Sequence, residues 1–237
     1  MESWQTELLH YRLDDHSNMP AAFSTIERAA RSLAFDYVSY CHQAPLPASN
    51  PRVTLISNYP QDWRTYSADT SHFLRHPHVR RRMHSSQPIL WTDDVFARAP
   101  DIQHAARVHG ICHGWTQVFQ DNPGGIAFLS LVRRSPPLSP QEMEARRDKM
   151  RWLAHIGHTL LSRHILHQQA DRDRPLSERE IEVLKWTADG KSSQDIAEIL
   201  ALSKNTIDFH IKNSIRKLNV PNKTAAVVQA VLLGMIH

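Results

Sequence analysis

The sequence predicts an α+β protein of two domains, a mixed helix-and-strand domain followed by an all-helical one. Three observations carry that prediction. Residues 167–175 (HQQADRDRP) are polar, highly charged and closed by proline, as a linker is. Ahead of them, strand-like runs flank a turn signal. Behind them, short capped amphipathic helices follow one another closely. The expected boundaries are therefore residues 1–166, a linker at 167–175, and residues 176–237.

In chain order, residues 21–33 place Phe23, Ile26, Ala30 and Leu33 at helical spacing. Residues 35–40 and 53–56 carry the aromatic and β-branched side chains of strands. Residues 114–119 and 126–132 enclose Asp121-Asn122-Pro123-Gly124-Gly125, which predicts a hairpin. Ser139-Pro140-Gln141-Glu142 then opens a helix, with Ser139 as cap and Pro140 in the first position. Its apolar positions, from Met143 to Ile165, sustain it for about six turns. Beyond the linker, Ser177-Glu178-Arg179-Glu180 forms a second capping box, with Ile181 and Leu184 inward. Helices are expected at 193–200, 203–218 and 222–233.

Composition narrows the class. Of 237 residues, 41% are hydrophobic and 22% charged, which is a soluble globular balance rather than a disordered one. No apolar run reaches the ~18 residues of a membrane span, so no membrane partner is expected. Cys41 and Cys112 are the only cysteines, and residues 1–5 show no basic segment leading into an apolar one. The expected location is the cytoplasm, with both thiols reduced. The formal net charge is +4. Residues 204–223 hold Lys204, Lys212, Arg216, Lys217 and Lys223 against Asp208 alone, a local excess as large as that of the whole chain.

That basic stretch has a pattern. The helix at 193–200 ends in Leu200, Ala201 and Leu202 turn the chain, and Ser203 caps the next helix. On the latter, Ile207, Ile211, Ile215 and Leu218 form an inward stripe. The rest of its surface offers Lys204, Asn205, Thr206, Asp208, Lys212, Asn213, Arg216 and Lys217. Amides and lysines suit base edges, while threonine and arginine suit phosphates, so this face fits the major groove of double-stranded DNA. An ordinary solvated face is the plainer alternative; the capped two-helix spacing favours DNA.

Leu176 to Glu180, Val183 to Lys191, Ile196-Ala197, Ser203, Thr206-Ile207, His210, Asn213 and Lys217-Leu218 resemble the LuxR-type helix-turn-helix. The resemblance implies a homodimer on a palindromic promoter element, with the fourth helix of the domain helping to pair subunits. RNA polymerase is a further candidate partner. Glu180, Leu184 and Gly190 stand at signature positions. Glu180 closes a cap, Leu184 suits the core, and Gly190 suits a left-handed helix end.

Residues 1–165 resemble the autoinducer-binding domain of quorum-sensing LuxR-type regulators. Phe35-Asp36-Tyr37, Ser57-Asn58-Tyr59-Pro60 with Trp63, Trp91, Phe96, Gly110-Ile111, Gly114-Trp115 and Leu129-Ser130-Leu131 carry the likeness. It implies an α-β-α sandwich that holds a small-molecule signal, an acyl-homoserine lactone or an analogue. In that reading Trp63 donates its indole N–H to the lactone carbonyl, and Tyr59, Ser39, Ser57 and Ser130 bond the amide and acyl oxygens. Trp91, Phe96, Ile111 and Phe128 wall the pocket. His76 stands where the family carries an aspartate that accepts the ligand amide N–H. A neutral imidazole accepts one hydrogen bond; an imidazolium accepts none. This departure points to a changed ligand, or to a ligand-independent regulator whose first domain mainly dimerises.

Other chemistry is set aside. Sixteen histidines include pairs at His76/His78, His109/His113 and His155/His158, but no cysteine or carboxylate cluster accompanies them, so no metal is expected. Arg75 to His84 is basic and reads as a solvated helix face. No nucleophile elbow or paired-carboxylate motif is present, so neither an enzyme nor a cofactor is expected.

Overall fold

The computed structural model describes residues 3–10, 19–47, 51–67, 87–97, 99–121, 125–170 and 175–236. His76, the basic stretch 75–84, the tip of the expected hairpin at 122–124 and linker residues 171–174 lie outside them. The chain divides into two compact units, the first ending at Ile165 and the second running on from Leu166.

The first unit contains α1 (Ser3–His10), α2 (Met19–Ser32), β1 (Tyr37–Gln43), β2 (Val53–Ser57), α3 (Gln61–Ser67), β3 (Ile89–Leu90), α4 (Asp93–Phe96), α5 (Pro100–Val108), β4 (His113–Asp121) and β5 (Gly125–Arg133). α6 (Pro140–Ala170) begins in this unit, and its helical backbone runs four residues into the segment expected to be linker. The strands form one antiparallel sheet in the order β2-β1-β5-β4-β3.

Side chains alternate across a strand, and here the alternation sorts the sheet into two buried faces. Val38 and Tyr40 of β1, Leu129 and Leu131 of β5, and Trp115 and Phe119 of β4 pack with α1, α2 and α6. Tyr37, Cys41, Val118, Phe128 and Val132 point the other way, toward α3, α4 and α5. Helices thus cover both faces, giving the expected α-β-α layering. The expected β1 start at Phe35 moves to Tyr37, because Ala34 takes a left-handed φ of 61° and Phe35 turns into the core before pairing begins.

α6 is anchored at both levels. Ser139 Oγ accepts from Glu142 N–H at 3.1 Å, the expected cap. Buried Arg133 at the end of β5 donates to both Glu142 carboxylate oxygens, at 2.7 and 2.6 Å. Those hydrogen bonds hold Glu142 below the ordinary carboxylate pKa range. Halfway along, a Cβ on Gly157 would stand 2.8 Å from Leu129 Cδ1, so the glycine lets α6 lie close on the sheet.

The second unit comprises α7 (Glu178–Ala188), α8 (Ser193–Leu200), α9 (Lys204–Lys217) and α10 (Lys223–Leu232), each starting at a side-chain cap: Ser177, Ser192, Ser203 and Asn222. Gly190 follows α7 with φ 82°, as expected at a helix end. Val183, Ile196, Ala197, Ile207 and Ile211 form one small core; Leu184, Leu218, Ala226, Ala230 and Ile236 form another. Among the described residues, no helix is long and apolar enough to cross a membrane.

Candidate ligand site and nucleic-acid interface

Strand register gathers hydroxyls into a row on the sheet face toward α3, α4 and α5. Ser57 pairs with Ser39, Ser39 with Ser130, and Ser130 with Thr116. Residues directly opposite in a sheet share a face, so four hydroxyls cross β2, β1, β5 and β4 in line. Ser39 Oγ donates to Tyr59 Oη at 3.1 Å, and Thr116 and Ser130 share a hydrogen bond of 2.8 Å. Trp91 Nε1 donates to Thr116 Oγ1 at 2.9 Å. A Cβ on Gly114 would stand 2.5 Å from the Trp91 ring, so the missing side chain is what lets the indole lie on β4. The Ser57 hydroxyl oxygen is closed off from solvent, with no hydrogen-bond partner among the described residues. Such an orphan is uncommon in a folded interior and marks a place where a polar guest gains a hydrogen bond.

Apolar side chains flank this seam on both sides. Tyr37, Tyr59, Trp63, Ile102, Ala106, Ile111 and Val132 lie on one side. Cys41, Ile89, Val95, Phe96, Val118 and Phe128 lie on the other, and Trp91 touches both groups. Burial raises the Tyr59 phenol and the Cys41 thiol well above their ordinary pKa values, so both stay protonated. The arrangement suits an elongated guest with a compact head, a polar linker and an apolar tail.

The structure brings Ser39, Ser57, Tyr59, Trp63, Trp91, Phe96, Ile111, Phe128 and Ser130 to this one face. His76 lies outside the described residues. Sequence reasoning missed Thr116. The turn held the signal, because once Asp121 faces Gly125, five steps back along each strand set Thr116 opposite Ser130. The His109/His113 pair is split between elements: α5 ends at Val108, Gly110 takes φ 76°, and His113 opens β4.

In the second unit, α8 ends at Ala201, itself left-handed at φ 52°, and Ser203 caps α9 by accepting from Thr206 N–H at 3.1 Å. Ile207, Ile211, Ser214 and Leu218 are buried. Lys204, Asn205, Phe209, Lys212 and Arg216 are exposed. Asp208 accepts from Lys204 at 3.1 Å and is hydrogen-bonded by Ser193, which together hold it below its ordinary pKa. It thereby links α9 to the start of α8. Thr206 shares its hydroxyl with Ser203 at 2.8 Å, and Arg216 donates to Asn213 at 3.1 Å. Lys217 stands apart from the exposed group. Its ammonium lies 2.7 Å from Glu180 Oε2, and that carboxylate is only 4% exposed. Phe209 is the exposed residue of α9 that sequence reasoning left out. Its displacement from the isoleucine stripe was the available signal.

A sandwich with a polar seam under one helical layer, in one chain with a separate domain that carries an exposed cationic helix, defines a ligand-sensing regulator of the helix-turn-helix type. Residues 18–161 match the family described as Autoinducer binding domain, and residues 174–230 match Bacterial regulatory proteins, luxR family. The chain belongs to the LuxR family, among its quorum-sensing transcriptional regulators, and is not an enzyme. It is 34% identical to Transcriptional activator protein AnoR of Acinetobacter nosocomialis, over 100% of both chains. It is 33% identical to Regulatory protein SdiA of Escherichia coli (strain K12), over 99% of this chain and 97% of that one. A crystal structure of SdiA matches with a TM-score of 0.85 at 33% identity, covering 99% of this chain and 98% of that one. SdiA in complex with octanoyl-rac-glycerol matches with a TM-score of 0.82 at 33% identity, covering 99% and 96%.

Proposed function

We propose that this regulator is gated by an acyl amphiphile lodged along the hydroxyl seam, and that as a cytoplasmic homodimer it reads a palindromic promoter element through α9. The seam between two apolar groups is the observation that carries this reading. An amide or ester linker meets Ser57, Ser39, Ser130 and Thr116; a lactone or glycerol head packs near Trp63 and Tyr59; the acyl tail packs near Phe128, Phe96 and Val118. An acyl-homoserine lactone and a monoacylglycerol both have this form, and the second is the kind of ligand held by SdiA in one solved structure. Binding shifts the equilibrium between states only if the ligand prefers one of them, so the seam must differ between the DNA-competent state and the other.

The homodimer reading rests on α10, where Val228 and Val231 are 40% and 50% exposed one turn apart. DNA reading rests on Asn205, Lys212 and Arg216, with Lys204 at the edge of the face. RNA polymerase is the partner through which a promoter-bound dimer would act. A second reading, ligand-independent folding, is favoured by one observation: Ser39 already bonds Tyr59, and Trp91 and Ser130 already bond Thr116.

Purified full-length chain titrated with N-octanoyl-homoserine lactone and with 1-octanoyl-rac-glycerol separates the two. Gating predicts a saturable rise in melting temperature with one of them, and tighter retention of promoter DNA. A flat melting temperature with both, alongside unchanged DNA binding, would overturn it in favour of the second reading.

A further inference from the structure

We infer that Phe209 reads sequence, its ring packing on the C5-methyl group of a thymine in the major groove. The inference rests on α9 as the DNA-reading helix and adds a base-reading residue to it. An α-helix turns about 100° per residue, so Asn205, Phe209, Lys212 and Arg216 fall within a band about 60° wide. All four are exposed, and they lie opposite the buried Ile207, Ile211, Ser214 and Leu218. Phe209 occupies this band with an amide on one side along the axis and two cations on the other. It is 60% exposed, whereas Ile207 and Ile211 are 0% and 7% exposed. Its one ring neighbour described is His210, edge-on at 5.8 Å on the same helix.

The setting selects the partner. The core of a protein–protein interface is poor in charge, yet Lys212 and Arg216 flank this ring. A duplex satisfies both features. Its phosphates take the cations, and of the four bases only thymine offers an apolar group in the major groove. The Asp208 carboxylate, the acid beside Phe209, is already engaged by Lys204 and Ser193, so it leaves the band cationic.

The test starts from duplexes selected out of a random pool by the full-length chain at low salt. Each thymine of the selected site is then replaced singly by deoxyuridine, which removes only the methyl group. For the unaltered chain, one position per half-site should lose about three- to fivefold in affinity, the worth of one buried methyl group. Phe209→Ala should show no loss at that position and an unchanged salt slope, and Phe209→Leu should retain part of it. Circular dichroism checks that both variants fold, as the exposure of the ring predicts. Equal deoxyuridine losses in the unaltered chain and Phe209→Ala would overturn the inference. So would a defect of Phe209→Ala confined to self-association or to polymerase recruitment with DNA affinity intact. If the chain retains duplex through Lys212 and Arg216 but ignores Phe209, this inference alone falls. If it retains no duplex at low salt, the reading of α9 falls with it.

Discussion

Two lysines on α9, five residues apart, show how the C-terminal unit separates its tasks. Lys212 stands exposed in the band with Phe209 and Arg216, while Lys217 sits on the buried carboxylate of Glu180. One face of the helix holds the fold and the other stands exposed, the face proposed to meet DNA. The sheet of the first unit makes no such division. Ser39, Thr116 and Ser130 are buried, bonded within the protein, and also form the surface a guest would touch. Where tasks are divided by face, a variant should harm either stability or function. Where they are shared, it should harm both.

The largest expected effect is at Lys217. Lys217→Ala leaves the Glu180 carboxylate buried without its cation and should cost about 3–5 kcal/mol in denaturant unfolding. Lys212→Ala should change stability by less than about 0.5 kcal/mol while lowering the slope of log affinity against log salt by about 1. Similar stability losses for the two lysines would erase the division proposed for α9.

Acid probes the same pair. Burial pushes the Glu180 pKa up, but hydrogen bonds from Lys217 and from Ser177 N–H outweigh it and hold it below the ordinary value. A depressed folded pKa contributes stability above the unfolded value, about 4.3, and loses it as pH falls through the folded one. Melting temperature should therefore drop below about pH 4.5. In Lys217→Ala burial is no longer outweighed, the folded pKa rises, and this part of the acid loss should shrink or reverse. An unchanged acid profile in that variant would show the pair to be inert.

Smaller effects test the seam and the turn before α9. Ser130→Ala removes the 2.8 Å bond to Thr116 and should cost about 1 kcal/mol along with ligand-induced stabilisation. Ala201→Gly should add about 0.5 kcal/mol, because glycine holds the left-handed turn before α9 without strain. Ser57→Ala should be the exception within the shared region. Its hydroxyl oxygen has no partner among the described residues, so stability should move by less than about 0.5 kcal/mol while the ligand-induced rise in melting temperature shrinks. A large loss of stability in Ser57→Ala would mean that its hydroxyl is engaged after all.

The two regions also differed in how far the sequence disclosed them. The C-terminal helices follow from local rules: caps at Ser177 and Ser203, the isoleucine stripe, and Gly190 at a helix end. Such signals span a few residues, and the structure reproduces them. Phe209 escapes such rules because a lone apolar residue in a polar band belongs neither to the core stripe nor to the polar groups that local patterns pick out. In the first unit, α2, the hairpin and the capped start of α6 were legible, but α1, α3, α5, β3 and α4 were not. The last two are two and four residues long, too short to show a period. The nine described ligand-face candidates came from a family resemblance. Their alignment into a row depends on pairing between β1, β2 and β5, which no local pattern states. The Glu180–Lys217 contact spans 37 residues and was equally out of reach.

The row of hydroxyls has one more implication, for how such a receptor changes its diet over evolution. Each alcohol swings about a single C–O torsion and so offers either its hydrogen or its lone pairs. Lodged along the seam as proposed, a guest with an N–H and one with only oxygens would be greeted by the same four residues, without a codon changing. Discrimination then falls to the contours on either side: the breadth beside Trp63 and Ile111 for whatever leads, the depth beside Phe128 and Val118 for whatever trails.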